Sequence, residues 1–208
     1  LYQETEYLKK SKKDPAPAGM PPNIRGVLQH VLNYDQEVFD HFINWLAYII
    51  QTRKQAGTAW MLHGTQGTGK GVLFNQTIVP ILGGEYTFRT TMPTFETEFN
   101  GFMEHSLVVF IDETQVSELS KRSQAMSNLK QLITDPLVSI RRMRTDPYVV
   151  PNHASIIAGS NKQDSMEVDM SDRRFNIAPR QETPLLSVMS TAQIASIPLE
   201  LQHFATYM

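Results

Sequence analysis

The feature that most restricts the fold is a change of character between residues 60 and 71. Three bulky apolar residues, Trp60-Met61-Leu62, run through His63 into Gly64-Thr65-Gln66-Gly67-Thr68-Gly69-Lys70-Gly71, and Val72 then opens an apolar, helix-like stretch. A buried strand, a glycine-rich turn and a helix in direct succession form an architecture that cradles phosphate. Gly64, Gly67 and Gly69 carry no Cβ, so the backbone can take positive φ and approach an anion closely. The unpaired N–H groups at the start of the helix, together with its dipole, favour negative charge. Lys70 adds a point charge suited to β- and γ-phosphates. The expected nucleotide-binding set is therefore Gly64, Thr65, Gln66, Gly67, Thr68, Gly69, Lys70, Gly71 and Val72. The pattern G-x-x-x-x-G-K-[ST] fails only at its last position, where Gly71 replaces the hydroxyl that normally reaches magnesium.

Composition narrows the setting. A chain of 208 residues with 41% hydrophobic residues suits one sizeable domain with a packed core. With 19 basic and 21 acidic residues the net charge is −2, so contact with nucleic acid requires a local basic patch. The absence of cysteine excludes disulfides and cysteine-based zinc sites. No apolar run approaches the roughly 18–20 residues of a membrane span. The start, Leu1-Tyr2-Gln3-Glu4, is unlike a signal peptide and lacks an initiator methionine, as expected of a segment taken from a longer polypeptide.

The pattern along the chain predicts four regions. Residues 1–22 are polar, lysine-rich and proline-rich, and read as a linker or extended arm. Residues 23–56 read as a helical segment, with Phe39, Phe42, Ile43, Leu46, Ala47 and Ile50 on one buried face and Trp45 and Ile49 on a second. Residues 57–183 carry the core. There the spacing predicts a strand over 58–62, a helix over 72–82 closed by Gly83-Gly84, a short strand over 87–90 and a helix over 94–103. Further on it predicts a doubly covered strand over 107–111, an amphipathic helix over 121–133, a hairpin around Thr145-Asp146-Pro147, and strands over 154–158 and 174–178. Residues 184–208 read as a C-terminal helical segment. Strands alternating with helices indicate an α/β fold with a parallel sheet.

Three further motifs carry chemistry. Leu107-Val108-Val109-Phe110-Ile111 ends in Asp112-Glu113, two carboxylates at the carboxyl end of a buried strand, where open α/β sheets place their ligands. Asp112 is the candidate magnesium ligand, and Glu113 the candidate base for an attacking water. Ile156-Ile157-Ala158-Gly159-Ser160 ends in Asn161, whose amide at a strand tip is placed to orient water or the γ-phosphate. Asp172-Arg173-Arg174 offers guanidinium forks suited to charge building on a transferring phosphoryl group, from the same subunit or a neighbour. Arg141, Arg142 and Arg144 make the hairpin basic and a candidate reader of the nucleic-acid backbone, although alternation sends Arg141 and Arg142 to opposite faces. The six histidines show no metal-ligand spacing, and His63 beside the turn reads as a packing residue.

This ordered set resembles the superfamily 3 helicases, and within them the helicase module of phage-type primase-helicases and primase-polymerases, over roughly residues 25–180. The resemblance implies a P-loop NTPase fold: an AAA+-like core with a central parallel sheet flanked by helices, preceded by a small helical segment. It implies ATP and Mg2+ bound between subunits of a ring-shaped homo-oligomer, usually a hexamer. Asn161 would end the family's third motif, and Arg173 or Arg174 would be the arginine finger. Arg141, Arg142 and Arg144 would line a channel that grips single-stranded DNA. It further implies a covalently linked primase or polymerase domain, a role in phage DNA replication, no membrane contact and a location in the host bacterial cytoplasm. With Gly71 in place of Ser or Thr, magnesium would rest on Asp112, phosphate oxygens and water. Two other readings stay open at this stage: a P-loop ATPase that loads or remodels replication proteins without unwinding, and a DNA-binding or ring-assembly module with weak or lost ATPase.

Overall fold

The computed structural model describes residues 2–96, 100–112, 119–161 and 172–208. Three helices, α1 (Glu6–Ser11), α2 (Pro22–Val31) and α3 (Gln36–Thr52), precede the first strand, β1 (Ala59–His63). After the glycine turn, α4 (Lys70–Leu73) passes through a π turn (Phe74–Ile78) into α5 (Val79–Leu82). Then follow β2 (Thr87–Thr90), β3 (Val108–Asp112), α6 (Leu119–Thr134), β4 (Leu137–Ile140), β5 (Tyr148–Pro151), β6 (Ser155–Ser160), β7 (Phe175–Ile177), α7 (Thr191–Ala195) and α8 (Ile197–Tyr207).

Five strands form one parallel sheet in the order β2-β3-β6-β1-β7, as the alternating pattern predicts. Alternation along the strands sorts the core into two layers. Trp60, Leu62, Val108, Phe110 and Ile157 face α2, α3, the helix after the turn and α8. Ala59, Met61, Val109, Ile111, Ile156 and Ala158 face α6 and the base of the hairpin. The unbroken apolar run at 107–111 is thus a strand covered on both sides. Within the first layer Phe110 stacks on Phe74, ring centroids 4.8 Å apart. The helix after the turn contains Pro80, which cannot donate to a carbonyl one turn back. The π turn just before it widens the coil and lets the helix continue.

Two expectations are corrected. Residues 94–103 are not one helix: they hold two 3₁₀ turns, Met92–Glu96 and Gly101–Glu104. Asn100 explains the interruption. Its amide donates to Ser139 O at 2.8 Å, and its side-chain oxygen accepts from Arg141 N at 2.8 Å, so it anchors the hairpin where the periodicity calls for a helix. The second correction concerns residues 1–22, which are not a free arm. Thr5 caps α1 and donates to Ile81 O at 2.8 Å, Leu8 is buried, and α1 lies against α8. The proline-rich stretch is strapped on by Gln202 to Asp14 at 3.0 Å and by His203 to Gly19 O at 2.7 Å. Two of its lysines are paired internally, Lys9 with Glu6 and Lys12 with Glu4. A reading of charge and proline alone could not see the apolar anchors, with Leu8 buried and Tyr2, Tyr7 and Met20 packed against the same core.

Replacing Leu8 by Ala is expected to lower stability by about 2–3 kcal/mol, the usual cost of truncating a buried leucine, read from the midpoint of urea unfolding. A free arm would show no change.

Candidate functional site

Parallel register brings the motif residues to one edge. β6 lies between β1 and β3, with His63 opposite Ser160 and Asp112 opposite Gly159. The residues that follow β1 and β6, and the last residue of β3, therefore emerge side by side at the carboxyl edge of the sheet. There the loop 66–72, Asp112 and Asn161 line one cleft of about 660 Å³.

The turn has the backbone that the glycines were expected to allow. Gly67 and Gly69 have φ of 87° and 95°. Gly64 is held for another reason. A Cβ there would lie 2.5 Å from Gln181 O, because the loop pairs with the segment after β7. Gln181 N donates to His63 O at 2.9 Å and Thr65 N to Gln181 O at 3.0 Å. The buried Gln181 amide also donates to His30 O on α2 at 2.8 Å, and His30 Nε2 donates to Thr183 O at 2.9 Å. This strap continues as Leu185 N donates to Gly67 O at 2.9 Å. By contrast Gly71 is open: a Cβ there would meet only the Asn75 amide, at 4.0 Å. Packing does not explain the missing hydroxyl.

Lys70 lies buried inside the turn. Its ammonium donates to Gly64 O at 2.7 Å, Thr65 O at 3.1 Å and Thr68 Oγ1 at 3.2 Å. Burial lowers its pKa to about 8. Arg180 pushes the same way, and Asp112 acts against both. Asp112 is engaged by Arg89 of β2, whose Nε donates to its Oδ2 at 3.1 Å and whose Nη2 reaches the same oxygen. Asn161 stands at the tip of β6 in the cleft, half-buried. Glu113 lies outside the described residues.

Asp112 is the acid lining the cleft among the described residues, with the Asn161 and Asn75 carboxamides beside it. Magnesium takes one or two carboxylates and fills its shell with phosphate oxygens and water. The donor set therefore fits a metal carried in on a nucleotide, and among the described residues no cluster of three His, Cys, Asp or Glu forms a protein-only cage.

The remaining expected site residues lie elsewhere. Arg173 and Arg174 precede β7 at the amino edge of the sheet, beside the start of β1 and a strand's length from the turn. Arg174 is bound to Asp172 at 2.8 Å through both Nε and Nη2, and Lys130 of α6 reaches the same carboxylate at 2.9 Å. These bonds hold Asp172 far below the usual carboxylate range. Arg173 is exposed. The hairpin β4–β5 forms as expected, as a separate two-stranded sheet whose second strand leads into the amino end of β6. Arg144 sits in its tip with φ of 61°. Arg142 has a bracing role. It is paired with Glu104, which also accepts the Tyr148 hydroxyl at 2.7 Å, so Arg142 braces the hairpin against the 3₁₀ turn. Arg141 is exposed, with its backbone fixed by Asn100.

Sequence reasoning missed Arg89 and the strap of Gln181 and Leu185. Arg89 is one cation in a short strand, and its neighbourhood follows from the pairing of β2 with β3, which no local pattern announces. His63, read as a packing residue, is half-buried and sits 3.0 Å from Arg180 Nη1, beside the turn.

A five-stranded parallel sheet between helical layers, with a lysine-bearing glycine turn leaving β1, defines a P-loop α/β core of helicase-like fold. The chain belongs to the family described as "Family of unknown function (DUF5906)", which matches residues 62–174, more than half of its length. It is 31% identical over 158 residues to the DNA primase-polymerase of Nitratiruptor phage NrS-1, an alignment covering 76% of this chain and 22% of that protein. The solved apo structure of the NrS-1 C-terminal region superposes with a TM-score of 0.86 at 28% identity, over 99% of this chain and 49% of that one. The JCV helicase shares the fold at a TM-score of 0.51 and 17% identity, over 97% of this chain and 60% of its own. The chain thus spans about a fifth of the curated relative and about half of the solved C-terminal region. Homology to a phage primase-polymerase is what the ordered motifs lead one to expect.

Between pH 8 and 10.5 the folded chain holds fewer protons at Lys70 than the unfolded chain does, so this group makes stability rise with pH across that window. Measured against Lys70→Met by urea unfolding, the wild type is expected to gain stability as pH rises from 8 towards 10. A difference independent of pH would show that the ammonium is not desolvated.

Proposed function

We propose that the chain is the motor domain of an ATP-dependent DNA helicase of the superfamily 3 type, acting in phage DNA replication in the host cell's cytoplasm. The convergence of the glycine loop, Lys70, Asp112 and Asn161 on one cleft carries this reading. The loop N–H groups and Lys70 hold the β- and γ-phosphates, and Lys70 leaves its loop carbonyls to do so. Glu113 takes a proton from the attacking water, and Asn161 orients that water against the terminal phosphoryl group. The bond to the β–γ bridging oxygen breaks as the new P–O bond forms, leaving ADP and inorganic phosphate. When bound with the nucleotide, Mg2+ neutralises charge on the phosphate oxygens, and Asp112 is the residue that would hold it.

The position of Arg173 and Arg174 supports a shared site. At the amino edge they face away from their own loop, so a finger role assigns one of them to the loop of an adjacent copy in a ring, with six copies the expected number. The hairpin supports contact with single-stranded DNA through Arg141 and Arg144, with Arg142 as its brace. A linked primase or polymerase domain would share the polypeptide, as the named relative is a primase-polymerase.

The test is ATP turnover with and without single-stranded DNA. Turnover is expected to rise with DNA and to fall about a hundredfold or more in Lys70→Ala, on the scale of losing a main phosphate contact. Arg144→Ala is expected to keep the DNA-free rate and lose most of the stimulation. Equal rates with and without DNA would favour a loading or remodelling ATPase instead. Mixing Lys70→Ala with Arg173→Ala or Arg174→Ala chains is expected to restore part of the activity. Mixed assemblies that form yet stay inactive would place the whole site within one copy.

A further inference from the structure

The departure at Gly71 and the ion pair of Arg89 with Asp112 lie in the same cleft. The usual metal anchor of the turn is missing, and the carboxylate that remains is held by a guanidinium from the next strand. Arg89 is opposite Phe110 in the register, and its side chain reaches two residues along β3 to Asp112, the strand's last residue. Its side chain is 47% exposed, so it can turn without disturbing the core. Two of its N–H groups engage Asp112, and a guanidinium has five. Among the described residues the cations lining this cleft are Lys70, at the turn, and Arg89, which is paired with Asp112. A triphosphate held by the loop would place its terminal oxygens in the cleft that Arg89 also lines. A planar fork suits those oxygens better than it suits one oxygen of a carboxylate.

We propose that Arg89 is a second phosphate-gripping residue: it holds Asp112 while the cleft is empty and transfers to the terminal phosphate when a nucleoside triphosphate binds, setting the carboxylate free. The proposal rests on the triphosphate reading of the cleft and adds the residue that distinguishes tri- from diphosphate. No covalent bond changes; one ion pair is exchanged for another. With a built-in cation on the terminal phosphate and no hydroxyl at position 71, this chain binds ATP even when divalent metal is removed.

The test uses fluorescent ATP and ADP analogues with the whole chain, in excess Mg2+ and in EDTA. In EDTA the wild type is expected to bind ATP about tenfold or more tightly than ADP, the size of one charge-assisted hydrogen bond. Arg89→Gln is expected to remove that preference while leaving ADP binding within about twofold, and Arg89→Lys to restore part of it. Asp112→Asn frees Arg89 from its partner and is expected to tighten ATP binding in EDTA; it keeps the test open should Arg89→Gln misfold. The proposal is overturned if Arg89→Gln binds ATP in EDTA as the wild type does, if ATP and ADP weaken together, or if Asp112→Asn weakens ATP binding. Lys70→Ala separates the two readings. If it abolishes binding while Arg89→Gln changes nothing, the phosphate loop stands and Arg89 alone is misassigned. If the wild type binds neither nucleotide, the triphosphate reading falls and takes this proposal with it.

Discussion

The placement of β6 between β1 and β3 is the constraint on which the rest depends. Trp60 and Leu62 on β1, Ile157 on β6 and Phe110 on β3 point to one layer, while Met61, Ala158 and Ile111 point to the other. A slip of one residue would turn every side chain of a strand to the wrong face. The apolar pattern therefore fixes the register, and the register fixes which residues share the carboxyl edge. Gly159 shows how closely the parts meet. A Cβ there would stand 3.5 Å from the Phe110 ring and 3.6 Å from Lys70 Cε, so the core aromatic and the stem of the site's cation close around the same glycine.

At that edge the charges satisfy one another. Lys70 donates to its own loop, Arg89 holds Asp112, and Arg180 lies between Glu182 and His63. A buried charge without partners is costly, and Lys70, the buried one of these, meets that cost with three oxygens of its own loop. In the proposed function, the bonds of Lys70 and Arg89 are the ones a phosphate would have to replace. The burial that lowers the Lys70 pKa also strengthens whatever anion that lysine finally meets, since water screens it less.

Much of this was legible in the sequence, for definite reasons. The strand, turn and helix at 60–82 show in local periodicity and glycine placement, and the apolar run at 107–111 needs no partner to be recognised. The hairpin followed from Thr145-Asp146-Pro147 between two apolar runs. Features that depend on distant pairing were not legible. Leu8, Tyr7 and Met20 are scattered through a basic, proline-rich stretch without a period, and the burial of Leu8 depends on α8, nearly two hundred residues away. Asn100 breaks an otherwise helical pattern because the hairpin needs its amide. Arg142 reads like its neighbours until Glu104 claims it, and Arg174 is fastened by Asp172 and by Lys130 of α6. A charged side chain's role depends on its nearest counter-charge, which sequence order does not reveal.

The two edges of the sheet divide the labour. The glycine loop, Asp112 and Asn161 occupy the carboxyl edge; the hairpin, Arg173 and Arg174 leave from the amino edge. β6 joins them directly: the hairpin's second strand leads into its amino end, and Asn161 stands at its carboxyl end. All six of its residues are buried, and at about 3.3 Å per residue it is a rod about 20 Å long. α6 makes a second link, since its carboxyl end runs into the hairpin and its Lys130 holds Asp172. A rod packed on both faces moves as a unit more readily than it bends. If the chain works as the proposed motor, β6 is the direct path by which a change at Asn161 would reach the base of the hairpin, and a load on the hairpin the cleft. This coupling needs no hinge within the chain. It needs only that the surfaces meeting the amino and carboxyl edges, in a neighbouring copy or on DNA, have two arrangements to choose between.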